Sequence, residues 1–369
     1  MISIVALSVV LSAVATSAPA QGLSFAPSFG IAQVYDSNVF YRPLGESDTI
    51  TRASPRVDMG FRSERQTFWS RYGLDADRFD RHPELTTAHA RQDAALEERY
   101  QATRRLSFAG AAAFTETEAP AELNVQSALT PGRARARRTT VHPSVTYQAG
   151  WLTTATFGYT AAHDRMLGVR LLTQTATATI ERHPSERDGV RFEFTHQNFL
   201  FNTSDRQISQ ALTAEWTREL THATAVIVRG GPRVTEGTLS PDVAASVRHT
   251  MRAGETSLAY EHTQTTLIGL VGIADTHSLA VRVSGEPRPG LRVRVEPGLL
   301  RTRQMDRASI VYHVSAGYSQ AIAARLTFEA TCDLNLQRGN IYTLETIDTV
   351  RRNVAMVRLI AASAEAPRR

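Results

Sequence analysis

The stretch Ala324-Arg325-Leu326-Thr327-Phe328-Glu329-Ala330-Thr331-Cys332-Asp333-Leu334 alternates without a slip. Ala324, Leu326, Phe328, Ala330, Cys332 and Leu334 share one face, and Arg325, Thr327, Glu329, Thr331 and Asp333 share the other. Successive side chains of a strand point to opposite faces of its sheet, so a period of two held this long is a β-strand. The pattern returns along nearly the whole chain, in segments joined by connections that tend to alternate between short and long. That rhythm is what a transmembrane antiparallel up-and-down β-barrel writes into its sequence.

Period-two segments and turn signals together predict about eighteen strands, about sixteen being the nearest alternative count. Segments 207–216, 242–251 and 309–318 are typical of them. The long connections are 36–50, 80–88, 115–136, 264–274 and 336–350. The tight ones include Ser63-Glu64-Arg65, Ala149-Gly150 and Ala253-Gly254, and the contrast fades in the middle of the chain. Barrels of this kind carry long outer loops and short periplasmic turns, so the parity favours an even strand number with both ends periplasmic. Connection 115–136 is the expected constriction or lid.

Residues 1–15 are almost wholly apolar, and Ala18-Pro19-Ala20 is a small-x-small cleavage site. This reads as a secretory signal peptide over residues 1–20, too short in its apolar run for a membrane span of ~20 residues. The expected division is a signal peptide at 1–20, an outer-membrane barrel at 21–362 and a polar periplasmic tail at 363–369. No later segment is long and apolar, which a barrel reconciles with the membrane because only alternate residues meet lipid. Cys332 falls on the expected lipid face and reads as a small apolar residue.

The faces set the register. Outward sets such as Val190, Phe192 and Phe194, or Leu291, Val293 and Val295, alternate with charged residues. A basic side chain facing lipid at mid-depth costs about 2–4 kcal/mol, so the charged partners must line the lumen. The expected solute path therefore includes Arg71, Arg191, Arg282, Arg292, Arg294, Arg325, Glu193, Glu329 and Asp333. Most of these charges are read as cross-strand pairs that stiffen the wall. Arginines in surplus would attract an anionic solute. Every basic residue is arginine, with lysine absent, and guanidinium grips carboxylate or phosphate in bidentate fashion. The one basic cluster, Arg133, Arg135, Arg137 and Arg138, is too short to support nucleic-acid binding. Trp69, Trp151, Tyr159, Trp216, Tyr260, Tyr312 and Tyr318 are candidates for interfacial girdles, although Trp69 has the parity of the lumen set.

Catalytic chemistry finds little support. His142 and Ser144 sit on one strand with Glu181 as an acid to test, but no nucleophile motif surrounds Ser144. No enzyme activity, metal or cofactor is expected. Asp36-Ser37-Asn38 opens like a calcium loop but lacks the glycine and closing glutamate, so it reads as a capped turn.

The segment Val34-Tyr35-Asp36-Ser37-Asn38-Val39-Phe40 resembles the opening of β-barrel porins found with bacterial exopolysaccharide gene clusters. The resemblance continues through Ser47-Asp48-Thr49-Ile50, Ser54-Pro55 and the strands to Arg78-Phe79, and Arg352-Asn353-Val354 looks like the start of that family's last strand. The chain lacks the terminal Phe common in outer-membrane proteins. The resemblance implies an outer-membrane exit for secreted polysaccharide, architecturally similar to the alginate exporter. It also implies partners: outer-membrane lipid, the polysaccharide, a periplasmic export or co-polymerase protein, and the barrel assembly machinery. A general or anion-preferring porin, and a plugged surface or adhesion barrel, are the alternatives.

Overall fold

The computed structural model describes residues 22–129, 131–202, 205–342 and 349–363. The expected signal segment 1–20 and all of the tail but Ser363 lie outside the described residues. Eighteen strands form one sheet. They are β1 Ser24–Asp36, β2 Asp48–Arg62, β3 Gln66–Phe79, β4 Thr87–Gln101, β5 Leu106–Thr117 and β6 Ala136–Gln148. Next come β7 Thr153–Met166, β8 Val169–Arg182, β9 Asp188–Phe201, β10 Asp205–Thr221, β11 Thr224–Thr235 and β12 Thr238–Met251. The last are β13 Gly254–Thr266, β14 Ile273–Arg288, β15 Leu291–Gln304, β16 Arg307–Ala323, β17 Leu326–Arg338 and β18 Thr349–Ala362. Each strand pairs antiparallel with its sequence neighbours, and β1 pairs with β18 from Ser28↔Ala362 to Asp36↔Val354. The sheet is therefore a closed barrel with no edge. Closure satisfies the backbone between strands, the condition for lying in hydrocarbon.

The register confirms which face is which. Tyr260, Leu279, Leu299, Tyr312 and Leu336 form one cross-strand row over β13–β17, and Tyr260, Leu279, Leu299 and Tyr312 are all exposed. Such rows recur on the outer face, where Phe157 is 61% and Ile180 56% exposed. A continuous apolar belt of this extent on a folded surface marks contact with a membrane or partner. Cys332 is exposed on this face. Trp151, Tyr159, Trp216, Tyr260 and Tyr312 are exposed as well, while Trp69 is buried inside, with the Arg71 guanidinium 5.1 Å from its ring centre.

All five long connections lie at one rim. The remaining connections there are tight, such as Leu167-Gly168 and Glu236-Gly237, where both residues have positive φ as a type I′ hairpin turn requires. Strands β10, β12 and β16 outrun the predicted 207–216, 242–251 and 309–318. Beyond the apolar band both faces meet water, so alternation ends there while the hydrogen-bond ladder continues. Two short 3₁₀ turns, Pro83–Leu85 and Pro120–Glu122, interrupt the connections. Among the described residues no helix is long and apolar enough to cross a membrane.

Candidate functional site

The connection between β5 and β6, residues 118–135, folds across the mouth of the barrel instead of standing out in solvent. Pro120 starts its 3₁₀ turn, and Leu123, Asn124, Ser127 and Leu129 are all buried. Two apolar clusters hold it. Leu129 packs with Leu267, Ala274, Val311 and Ile341, and Leu123 packs with Ala136, Met166 and Ile268. Burying side chains of this size contributes about 1.5–3 kcal/mol each.

Asn124 is the polar centre of this strap. Its Oδ1 accepts the Ile268 N–H at 3.0 Å, while its Nδ2 donates to the Leu129 carbonyl at 3.1 Å and to the Tyr342 hydroxyl at 2.7 Å. The Tyr342 hydroxyl donates onward to the Ile268 carbonyl at 3.2 Å. Burial pushes this phenol well above the ordinary tyrosine range. One side chain thus ties three outer loops together, and a buried amide so fully satisfied specifies a single arrangement. Arginines fix the flanks. Arg138 donates to the Leu123 carbonyl at 2.7 Å and makes two bonds to Asp164, at 2.6 and 2.7 Å. Arg133 pairs with Glu118 and lies 4.8 Å from the centre of the Phe79 ring.

The strap leaves a cavity of about 360 Å³ on each side. One is walled by β1–β5 and β16–β18 and carries Arg52, Asp77, Arg91, Arg133, Asp333 and Arg352. The other is walled by β8–β13 and carries threonines such as Thr173, Thr175 and Thr213 together with Arg229, Arg233, Asp242 and Glu261, which pair among themselves. The first is internally paired as well: Arg52 donates to both oxygens of Asp77, at 2.7 and 2.8 Å.

The segment Tyr35–Phe40 lies at the seam of the barrel. Asp36 is 2% exposed and accepts from Arg352 Nε at 3.0 Å and Nη2 at 2.7 Å. Its Oδ1 also accepts the Asn38 N–H at 3.0 Å, the capped turn expected. Ser37 and Asn353 exchange two bonds, of 3.0 and 2.8 Å. The Asn38 Nδ2 donates to the Arg351 carbonyl at 3.0 Å. Val39 is fully buried against Ala32, Val34, Ile50 and Phe79, and Phe40 sits edge-on to His82 at 5.1 Å. Tyr35 faces outward and is half exposed. The stretches near the two ends of the chain that carried the resemblance therefore bind each other, and their visible role is closure.

Of the other residues singled out in the sequence, Arg71, Arg191, Arg282, Arg292, Arg294 and Glu329 lie in the half of the lumen nearer the short turns, while Glu193 and Asp333 line the cavities beside the strap. Arg71 donates to Asp58 at 2.8 Å, and Arg191 pairs with Glu193 on its own strand. Glu296 accepts two bonds from Arg282, at 3.1 and 3.0 Å. That leaves Arg294 at 4.0 Å from Glu296 and Arg292 at 3.7 Å from Glu286. These two side chains are 58% and 79% exposed to the lumen. Glu329 lies 3.9 Å from Arg358, whereas Arg325, expected on the solute path, is exposed in the β16–β17 turn, because the strand begins only at Leu326 and the alternation before it belongs to the turn. Sequence reasoning missed Asn124, Tyr342, Arg352 and Asp164 as parts of the site. Only the length of connection 115–136 and its arginines pointed there. His142 bonds to Thr160 at 2.7 Å and Glu181 to His183 at 2.8 Å, so these groups do not form a relay with Ser144. Among the described residues no group of His, Cys, Asp and Glu is placed to hold a metal ion.

No protein-family model matches the chain, and no curated protein sequence does. Solved structures do share its fold. OccAB4 of Acinetobacter baumannii superposes with a TM-score of 0.51 at 8% identity, over 94% of this chain and 100% of that one. The siderophore receptor PirA of the same organism gives 0.48 at 7% identity over 94% and 81%. An anion-selective porin from Comamonas acidovorans gives 0.38 at 9% over 92% and 99%. At such identities the likeness is one of fold alone, that of a closed antiparallel β-barrel. These comparisons add no support to the resemblance of Tyr35–Phe40 to exopolysaccharide-associated barrels.

Proposed function

We propose that this barrel is a passive outer-membrane channel for small polar solutes, constricted by the strap 118–135. The observation that carries this reading is the strap itself, anchored through Asn124 with a cavity of about 360 Å³ on either side. At this strand number side chains alone do not fill a barrel, and a folded-in loop is the usual way to narrow one. Exposed Arg292 and Arg294 on the periplasmic side of the path give it a mild preference for anions.

Export of an exopolysaccharide is the second reading, favoured by the Tyr35–Phe40 resemblance and by the threonine hydroxyls in the wall of the second cavity. It requires the strap to swing aside, with a periplasmic export or co-polymerase protein as the natural source of that push. Single-channel recording in planar bilayers decides between them. Small-solute conduction predicts stable ion current without polymer, unaffected by added polysaccharide. Export predicts a low resting current that polysaccharide blocks, and loss of surface polymer when the gene is deleted. Negligible conductance under every condition would overturn both and leave a plugged barrel.

A further inference from the structure

The basic cluster in the β5–β6 connection divides between two faces. Arg133 and Arg138 turn inward to the strap, while Arg135 and Arg137 turn outward. Arg135 lies 3.1 Å from Glu116, and Arg137 donates to the same carboxylate from Nε at 2.7 Å. The register then extends the row: Glu116↔Arg137, Arg137↔Arg165 and Arg165↔Arg170 are direct cross-strand neighbours on β5–β8. Arg165 stands between Asp164 and Met166, both buried toward the strap, so it points away from the lumen. Arg170 precedes Leu171, buried inside with Phe199 and Phe201, and points outward too. Both arginines are exposed, and among the described residues neither has a carboxylate within 4.0 Å. Four guanidiniums thus share one acid.

Like charges directly opposite each other destabilise a sheet. Nothing in the fold rewards setting Arg165 against Arg170, so the compensating charge must come from outside. The next cross-strand row toward the short turns is Phe114, Thr139, His163, Leu172 and Leu200, and beyond it lie Ala112, Val141 and Ala161. The arginines therefore cap a lipid-facing stripe at the rim of the long loops. A solute in the mouth would not meet them. We infer that Arg135, Arg137, Arg165 and Arg170 form a binding site for the phosphate group of an outer-leaflet lipid headgroup, whose acyl chains run down the Phe114–Val141–Leu172 stripe. Guanidinium forks match phosphate oxygens in bidentate fashion, and the site is dry on its membrane side. The inference rests on the seating of the barrel in the outer membrane and not on what the barrel conducts.

The purified full chain in detergent is offered lipid A carrying its phosphates, or dephosphorylated lipid A, and retained lipid is counted by native mass spectrometry. Phosphorylated lipid should be retained and dephosphorylated lipid lost. The double variant Arg165→Gln with Arg170→Gln should bind about thirtyfold more weakly, the factor for withdrawing two arginines from an anionic surface. Glu116→Gln keeps every arginine, removes the single acid, and should bind more tightly; the heat-dependent gel shift of the barrel checks that each variant is folded. Equal retention of both lipids, or a folded double variant that binds like the parent, would overturn the site. So would inorganic phosphate displacing the lipid at matched concentration, which marks a free-anion site, or a double variant that loses only oligouronide binding, which marks a polymer contact.

Discussion

The two cavities beside the strap differ in what their walls can offer a solute. On the β1–β5 side, Arg52–Asp77, Arg352–Asp36 and Arg133–Glu118 are already partnered, so the wall is charged but largely spoken for. On the β8–β13 side the Arg229, Arg233, Asp242 and Glu261 pairs are joined by a run of threonines, whose hydroxyls can both donate and accept. Both walls are stiffened by paired charges, and the second adds the hydroxyls. A solute would therefore meet paired charges on both sides and exchangeable hydrogen bonds on the second, and the strap decides how much of either it reaches.

Removing the strap is the strongest way to break that contrast. Deleting residues 119–132 and joining the ends with glycines should merge the two cavities and raise single-channel conductance several-fold. An unchanged conductance would mean that the strap is not the narrow point. The first wall is tested next by Arg352→Met. Leaving Asp36 buried without its partner should cost about 3 kcal/mol and lower the temperature of the heat-dependent gel shift. Adding Asp36→Asn should recover part of that loss, because the stranded charge is then gone.

A smaller effect is expected from the exposed arginines. Arg292→Gln together with Arg294→Gln should move ion selectivity toward cations, as seen in reversal potentials across a salt gradient, with stability kept within about 1 kcal/mol. Thr175→Val with Thr177→Val should leave selectivity where it is. The subtlest change is in pH. His82 Nδ1 lies 2.8 Å from Asp48, with Glu46 beyond, and the hydrogen bond to Asp48 raises the imidazole pKa. A raised pKa means the contact contributes its full stability below the ordinary histidine value near ~6.5, and loses it as pH rises through the folded value. Hydrogen exchange at 80–86, corrected for intrinsic rate, should therefore speed up in the parent as pH rises through the folded imidazole value. It should stay flat in His82→Gln.

Much of the barrel was legible because lipid imposes a rule on every second residue. Leu326, Phe328 and Ala330 against Thr327, Glu329 and Thr331 fix a face, and that face fixes the register of the strand. Trp69 kept the lumen parity that its position implied. The site was less legible, because partners across strands are not written in the alternation. Arg282 takes Glu296 and leaves Arg294 half free, a choice that depends on register between β14 and β15. Asn124 looked like any loop residue. Its importance comes from Ile268 and Tyr342, which lie far along the chain and reach it only when three loops converge. The split of Arg133–Arg138 between inside and outside likewise follows from where the strap turns back into β6.

The seam also bears on the order in which the molecule can form. Asp36 and Arg352 are separated by 316 positions, so bringing them together carries a loop-closure entropy of order 5 kcal/mol beyond a constant, by the logarithmic rule. That cost falls on the last step, since hairpins from β2–β3 to β17–β18 can each form between sequence neighbours. Ring closure is then the slow, non-local event of folding. A chain interrupted before Arg352 would hold a nearly complete sheet whose first strand ends in an unanswered carboxylate, and it would stay open to whatever inspects unfinished barrels.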